Sequence, residues 1–204
     1  MKLQDYKAIL LVVISVLALL AASPALQTIL IYPQTEFFSA TWILGPQGKA
    51  ENIPFNLTSG TNYRVYLGID NHLGYCAYYK VQVKFRNLTQ PAPNDIERTP
   101  SNLPTLYSLN YFVADKTNIT IPVTFKFDYT SSISSYNPRL SKVTFKELEF
   151  NGVSLNLGGY STSWDVNKQA FMGNLFFELW IYNGTTGSFH YHQRYTSLLF
   201  NMTV

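Results

Sequence analysis

The chain has little charge and almost no cysteine. Charged residues make up 13% of its 204 residues and the formal net charge is +3, while aromatic residues reach 16%. This composition excludes a disordered chain, which would be rich in charge and poor in aromatic residues. The single cysteine, Cys76, excludes an intrachain disulfide and a zinc site built on several cysteines. We expect Cys76 to be a small buried apolar side chain.

The chain also lacks the basic excess that nucleic-acid binding requires. Without Lys2, Lys7 and Asp5 at its start, the remainder carries thirteen basic and eleven acidic residues. A basic face for phosphate contacts is therefore not expected.

A long run without charge follows the first residues. Residues 8–35 contain no charged side chain, and residues 8–26 are almost entirely apolar. This is the length that a membrane-spanning helix needs, and the preceding lysines favour a cytoplasmic N-terminus. The alternative is a cleaved signal peptide with a small-residue site at residues 23–25. The longer run favours an uncleaved anchor over residues 1–35, followed by an extracytoplasmic domain over residues 36–204.

Acceptor sequences for N-linked glycans agree with that location. The Asn-x-Thr pattern occurs five times, at Asn56, Asn87, Asn118, Asn183 and Asn201. Such sequons indicate surface loops of an exported domain, although each asparagine can also be an unmodified turn residue. Their positions relative to the expected strands predict modification of Asn87, Asn118 and Asn183 more often than of Asn201.

The outer region shows the period-two alternation of β-strands. Apolar side chains alternate with polar ones in residues 63–70, 80–86 and 119–127, and Pro122 places the third strand at an edge or a bulge. Asn151-Gly152 between two alternating segments predicts a tight hairpin, with Phe150 opposite Val153. Residues 90–104 and the loop containing Gly48 are expected to be irregular. The sequence predicts an all-β fold, a single antiparallel β-sandwich that is immunoglobulin-like in the loose sense and is preceded by one transmembrane helix.

Several stretches together resemble a known family. The Glu-Phe-Phe and Leu-Gly-Pro pair, the Gly-Lys-Ala-Glu-Asn run and the Gly-Ile-x-Asn-His turn lie within residues 36–72, and further matching stretches occupy residues 176–183 and 194–203. These resemble the outer domain of an archaeal membrane family labelled domain of unknown function 1616. Members of that family usually have several membrane helices, so the resemblance implies a singly anchored relative here. It implies no activity, substrate or cofactor.

Motifs for phosphate binding, metalloprotease chemistry and nucleophilic catalysis are missing from the sequence. One candidate metal site remains near the C-terminus. If Tyr182 pairs with Ser188, then Glu178 and His192 face each other and His190 lies on the same face. Two imidazoles and a carboxylate can ligate zinc, whereas the simpler interpretation is a cross-strand Glu–His pair. No cofactor is expected.

The aromatic excess and one basic stripe each have two interpretations. Exposed rings in a row would stack on sugars or fill a protein interface, whereas inward-facing rings would build the core. Alternation favours the core for most of them: Tyr63, Phe85, Phe125, Phe127, Phe150, Phe177 and Tyr195. Lys80, Lys84 and Arg86 are expected to form the solvated face of a strand, and contact with anionic headgroups or glycans is the alternative.

The sequence favours a non-enzymatic, membrane-anchored interaction or scaffold module of the archaeal cell envelope, or an accessory subunit of a membrane complex. Its expected partners are membrane lipid, envelope proteins and N-linked glycans, with no nucleic acid. The first alternative is a glycan-binding module, for which a row of solvent-facing aromatic rings would be decisive. A metal-dependent enzyme at Glu178, His190 and His192 is the less favoured alternative.

Overall fold

The computed structural model describes residues 3–29, 37–94 and 96–204. The chain divides into two compact units, Met1–Phe37 and Phe38–Val204. The first unit contains one helix, α1 (Leu3–Ile29), and its described side chains are exposed except for the partly buried Ser23. Among the described residues, no helix meets the length and hydropathy expected of a membrane span.

The second unit is built from two β-sheets that enclose one hydrophobic core. Its elements in chain order are β1 (Phe38–Leu44), β2 (Asn56–Leu57), β3 (Tyr63–His72), β4 (Ala77–Asn87), β5 (Tyr107–Val113), β6 (Thr117–Ser132), a short 3₁₀ helix (Pro138–Leu140), β7 (Lys142–Phe150), β8 (Val153–Asn156), β9 (Ser161–Ser163), β10 (Met172–Asn183) and β11 (Ser188–Met202). The all-β prediction is therefore confirmed.

Strand order separates the two layers. The first sheet has the order β1-β3-β6-β7-β8, with β9 also beside β7, and the second has the order β2-β11-β10-β4-β5. Neighbouring strands are antiparallel except β2 and β11, which run parallel. Pro122 lies in a part of β6 that has β3 on one side, whereas β7 pairs with β6 only from Phe125 onward. This local edge tolerates the missing N–H of proline.

Large rings build the core, as the alternation predicted. Phe85, Phe125, Phe127, Phe150 and Phe177 are each 2% exposed or less, and Tyr63 packs against them while remaining partly exposed. The prediction was wrong for Tyr195. This residue pairs with Glu178 on β10 and lies on the opposite face of β11 from the buried Leu198 and Phe200.

The Asn151-Gly152 turn has the predicted geometry. Phe150 pairs with Val153 and Leu148 with Leu155, and both turn residues have positive φ, 49° for Asn151 and 77° for Gly152. Positive φ at both central residues is the requirement of a two-residue hairpin turn with the correct twist.

Replacing Gly152 with valine should therefore destabilise the domain. A β-branched residue at this φ costs about 1–3 kcal/mol, which thermal unfolding of the full chain would report as a lower melting temperature. Gly48 is not a suitable control, contrary to the sequence-based expectation, because its φ of 72° imposes a similar strain. The suitable control is Gly184→Val, since Gly184 lacks a positive φ and a Cβ there would meet no atom within 4 Å. Equal melting of the two variants would contradict the turn assignment.

Candidate functional site

The hairpin of β10 and β11 does not have the register that the metal hypothesis required. Tyr182 pairs with Phe189 rather than Ser188, and a β-bulge lies between Leu179 and Trp180. As a result Glu178 pairs with Tyr195, and His190 pairs with Ile181. A shift of one residue moves every side chain to the other face of a strand. Glu178 and the two histidines are thus not brought together.

Each histidine has other neighbours. His190 is exposed, and its Nε2 atom lies 2.7 Å from Oγ1 of Thr186 and 3.1 Å from Oγ of Ser188. His192 is partly buried with its ring 6.0 Å from that of Tyr79, and burial followed by the charge of Arg194 lowers its pKa. Within the described ranges, no three His, Cys, Asp or Glu residues are grouped as metal ligands.

Glu178 instead forms a buried ion pair. Its Oε2 atom is 2.8 Å from Nζ of Lys84, and the two side chains are 0% and 4% exposed. The Oε1 atom accepts a hydrogen bond of 2.7 Å from the backbone N–H of Ser101. Lys84 in turn donates to the carbonyl oxygen of Ser101 at 2.7 Å. Ser101 belongs to the proline-rich segment between β4 and β5, residues 90–104. The two charged side chains hold this segment, which we call the covering segment, on the outer face of the second sheet.

The basic stripe is consequently not a solvated strand face, and that expectation was wrong. Lys84 is buried, and Arg86 donates from Nη1 to the carbonyl oxygen of Gln90 at 2.7 Å. Burial lowers the pKa of Arg86, and its Nε atom has no hydrogen-bond partner among the described residues. Residues 90–94 and 96–104 are irregular as expected, apart from a bridge between Asn94 and Thr99. Nothing in the sequence indicates that this segment covers the sheet.

Beyond this segment, four aromatic rings cross the outer face of the same sheet in one row. Tyr78 on β4 pairs with Phe112 on β5, and Tyr182 on β10 pairs with Phe189 on β11. The ring centroids of Tyr78 and Phe112 are 4.2 Å apart and stacked, and those of Tyr78 and Phe189 are 5.2 Å apart. Phe112 is 71% exposed and Tyr182 is 41% exposed. We call these four residues the aromatic platform.

A second row of side chains lies two residues further along the strands, about 7 Å from the aromatic platform. Lys80 places its Nζ atom 4.0 Å from the centroid of the Phe189 ring, a cation–π contact. Trp180 and Tyr191 pair across β10 and β11 with centroids 5.7 Å apart. The indole N–H of Trp180 donates to Oε2 of Glu178 at 3.3 Å. The buried carboxylate of Glu178 therefore orients the indole ring of Trp180, which lies next to the platform.

A polar cleft adjoins Tyr191. It has a volume of about 310 Å³. Its lining comes from the covering segment and from β11: Asn94, Arg98, Tyr191, Gln193 and Arg194. Gln193 belongs to the irregular part of β11 and has a φ of 56°. The cleft supplies amide and guanidinium donors next to the second row.

Two further clefts lie at the other end of the sandwich and share Trp164. One of about 310 Å³ includes Asn87 and Ser161, and one of about 360 Å³ includes Pro138 and Val166. The ring of Trp164 packs edge-on against Phe171 at 5.0 Å. Neither cleft has rows of exposed rings comparable to the aromatic platform.

The structure places the cysteine and the five sequon asparagines as follows. Cys76 is exposed between β3 and β4, so the expectation of a buried side chain was wrong. Asn56 and Asn201 are neighbours in the parallel pair of β2 and β11, and Asn87 ends β4. Asn118 lies near the start of β6 and Asn183 ends β10.

The sequence contained part of the signal for the platform. Tyr78 and Lys80 alternate with the buried Tyr79 and Val81, which shows that they face outward together. For Tyr182 the pattern is less informative, because residues 175–182 are apolar at nearly every position and alternation does not separate the two faces of the strand. Alignment of the four rings depends on the strand order β11-β10-β4-β5, which no local pattern specifies.

Comparison with protein-family models finds no match to this chain, and comparison with curated proteins finds none either.

Proposed function

We propose that this chain is a membrane-anchored, extracytoplasmic module that binds carbohydrate through the aromatic platform. The observation on which the proposal rests is the row of four rings across four strands, with Phe112 71% exposed. Contiguous exposed apolar surface of this kind is typical of interaction sites. A disulfide-free sandwich needs rings in its core, but that need does not explain rings on its outer face.

The chemistry around the platform suits a sugar better than a wholly apolar ligand. The C–H faces of a pyranose pack on aromatic faces, whose negative potential attracts them, and its hydroxyls need nearby hydrogen-bonding groups. Lys80 and the polar cleft beside Tyr191 provide such groups within one pleat repeat of the rings. Ring stacking and polar contacts are thus available on one continuous face.

The anchor is part of the same proposal and is supported by the sequence. Residues 8–35 lack charge, and the apolar side chains of α1 from Ile9 to Leu20 that have described surroundings are exposed rather than packed in a core. Exposed apolar side chains on a helix favour a lipid environment. In this proposal the N-terminus is cytoplasmic and the β-domain lies outside, consistent with the family resemblance noted above.

A second candidate is a protein scaffold. It is favoured by β5, an edge strand of the second sheet that ends beside Phe112. Edge strands present unpaired backbone groups to which another chain can add a strand. Such a partner would contact the β5 backbone, whereas a sugar would contact the rings, so ring-to-alanine variants distinguish the two functions.

Binding to an oligosaccharide array tests the proposal. The full chain should be solubilised in a detergent without a sugar headgroup and should bind at least one class of immobilised oligosaccharide. Tyr182→Ala and Phe112→Ala should each weaken binding about thirtyfold, because removing a central aromatic contact costs about 2 kcal/mol.

The matched control is Tyr136→Ala. Tyr136 is fully exposed and lies in the loop after β6, outside both rows of the outer face. This variant should bind like the unsubstituted chain. A chain that binds no oligosaccharide, or a Tyr136→Ala variant as weak as Tyr182→Ala, would refute carbohydrate binding by the platform.

A further inference from the structure

The five sequons differ in whether the fold uses their polar groups. N-glycosylation joins a sugar to the Nδ2 atom of asparagine, and the acceptor pattern also requires a hydroxyl two residues later. The fold already uses both the amide and the hydroxyl of a closed sequon, whereas Nδ2 and the hydroxyl of an open sequon have no partner among the described residues. The structure can therefore be used to separate open sequons from closed ones.

The sequon at Asn87 is closed. Nδ2 of Asn87 donates to the carbonyl oxygen of Ser161 at 2.8 Å, and the side chain is partly buried. Its Oδ1 atom accepts from the hydroxyl of Thr89, the sequon's own threonine, at 2.7 Å. Both reacting groups of this sequon are thus engaged within the domain, and a glycosylated amide would retain a single N–H for the bond to Ser161.

The sequons at Asn56 and Asn201 are hydrogen-bonded to each other. They lie side by side in parallel register, and Nδ2 of Asn201 donates to Oδ1 of Asn56 at 3.0 Å. The hydroxyls of Thr58 and Thr203 are 2.9 Å apart and hydrogen-bonded. Asn56 is exposed and its Nδ2 atom donates to no described residue, but its Oδ1 atom and the hydroxyl of Thr58 are both hydrogen-bonded, so the fold uses the amide and the hydroxyl of each sequon.

The sequons at Asn118 and Asn183 are open. Both asparagines are exposed, and their Nδ2 atoms have no hydrogen-bond partner among the described residues. The hydroxyls of Thr120 and Thr185 are likewise without a partner in the described part of the chain. Oδ1 of Asn183 accepts from the backbone N–H of Thr185 at 2.9 Å, which leaves Nδ2 directed away from the turn.

The two groups occupy opposite ends of the sandwich. The closed sequons lie where β4 ends, where β10 begins and where β2 pairs with β11. The open ones lie at the other end, near the β3–β4 and β10–β11 turns, and Asn183 directly follows Tyr182 of the platform.

We propose that Asn118 and Asn183 are glycosylated and that Asn56, Asn87 and Asn201 are not. In the transfer, Nδ2 forms a bond to the anomeric carbon of a lipid-phosphate-linked oligosaccharide. The bond from that carbon to the phosphate oxygen breaks, the phosphate leaves with the electron pair, and Nδ2 loses one proton. The inference rests on the part of the proposed function that places the β-domain outside the membrane, where such donors are used.

Glycopeptide mapping tests this assignment. The full chain is produced in cells that glycosylate a co-expressed control protein, extracted from membranes and digested. Sugar is expected on the peptides of Asn118 and Asn183 and on no other sequon. Thr120→Ala and Thr185→Ala should each remove the mass of one glycan, and Thr89→Ala should remove none. Sugar on Asn56, Asn87 or Asn201, or a bare Asn118 or Asn183, overturns the assignment.

Protease added to intact cells separates this inference from the proposed function. If the β-domain is cleaved and the two open sequons are bare, the glycosylation inference fails while an outer carbohydrate-binding domain stands. If the domain is protected because it lies inside, both fail. Sugar on both open sequons with no binding to the array leaves the inference intact and refutes carbohydrate binding.

Discussion

Replacing Glu178 with alanine is expected to lower the free energy of unfolding by about 3–5 kcal/mol. The change would leave the Lys84 ammonium group buried without its counter-charge, because that side chain is 4% exposed. It would also leave the backbone N–H of Ser101 without its acceptor. Chemical denaturation of the full chain, with the fluorescence of the nearby Trp180 as readout, measures the loss.

Two further variants test whether the loss of stability comes from the buried ion pair. Glu149→Ala removes the partner of Lys126, another cross-strand ion pair, but those side chains are 36% and 25% exposed. Solvent screens a partly exposed pair of this kind, so this variant should be nearly neutral. The double replacement Lys84→Met with Glu178→Leu should recover much of the stability, since apolar substitutes for a buried pair are often neutral or stabilising. A single Glu178→Ala variant as stable as Glu149→Ala would contradict the buried pair.

Replacing Phe85 with alanine should cost a comparable amount, about 3–5 kcal/mol. Phe85 is 1% exposed, and its ring contacts rings from both sheets, at centroid distances of 4.7 Å from Phe145 and 6.3 Å from Phe200. Truncation would leave a cavity between the layers that neighbouring rings fill only in part. A large drop in melting temperature is the expected observation.

Phe112→Ala is the control for this prediction. It removes the same ring from the same sheet, but from an exposed position, so stability should change by about 0.5 kcal/mol or less. Together the two variants separate the two uses of phenylalanine. Loss of the Phe85 ring should strongly destabilise the domain, whereas loss of the Phe112 ring should leave its stability almost unchanged and weaken the proposed carbohydrate binding. Equal destabilisation would mean that Phe112 is not on an open face.

Turn residues and apolar alternation predicted the parts of the fold that depend on neighbouring residues of the chain. The Asn151-Gly152 hairpin could be predicted with its register, because its turn residues and its apolar alternation agree. The β10–β11 hairpin could not, because its turn pairs Tyr182 with Phe189 and a bulge with a positive φ at Gln193 follows beside Trp180. The offset at the turn places His190 away from Glu178, and the bulge changes the pairing again beyond Tyr191.

Long-range contacts explain the other failures. Lys84 follows the alternation of an exposed strand face, and its burial depends on Ser101, seventeen residues away, and on Glu178 in a different strand. A proline-rich segment is expected to be irregular, but composition does not indicate which surface it covers. The same limit applies to the aromatic platform, whose four rings come from four strands.

The covering segment held by Lys84 and Glu178 also borders the open face. It covers the buried ion pair in the middle of the sheet, beside the platform and the second row, which together extend about 14 Å across the strands and about 7 Å along them. On the proposed site, a ligand aligned across the strands would keep contact with all four rings, whereas one aligned along β4 and β10 would meet the covering segment. If the platform binds carbohydrate as proposed, this geometry favours a short linear oligosaccharide lying across the strands. One buried ion pair thus fixes the segment that borders the proposed binding face.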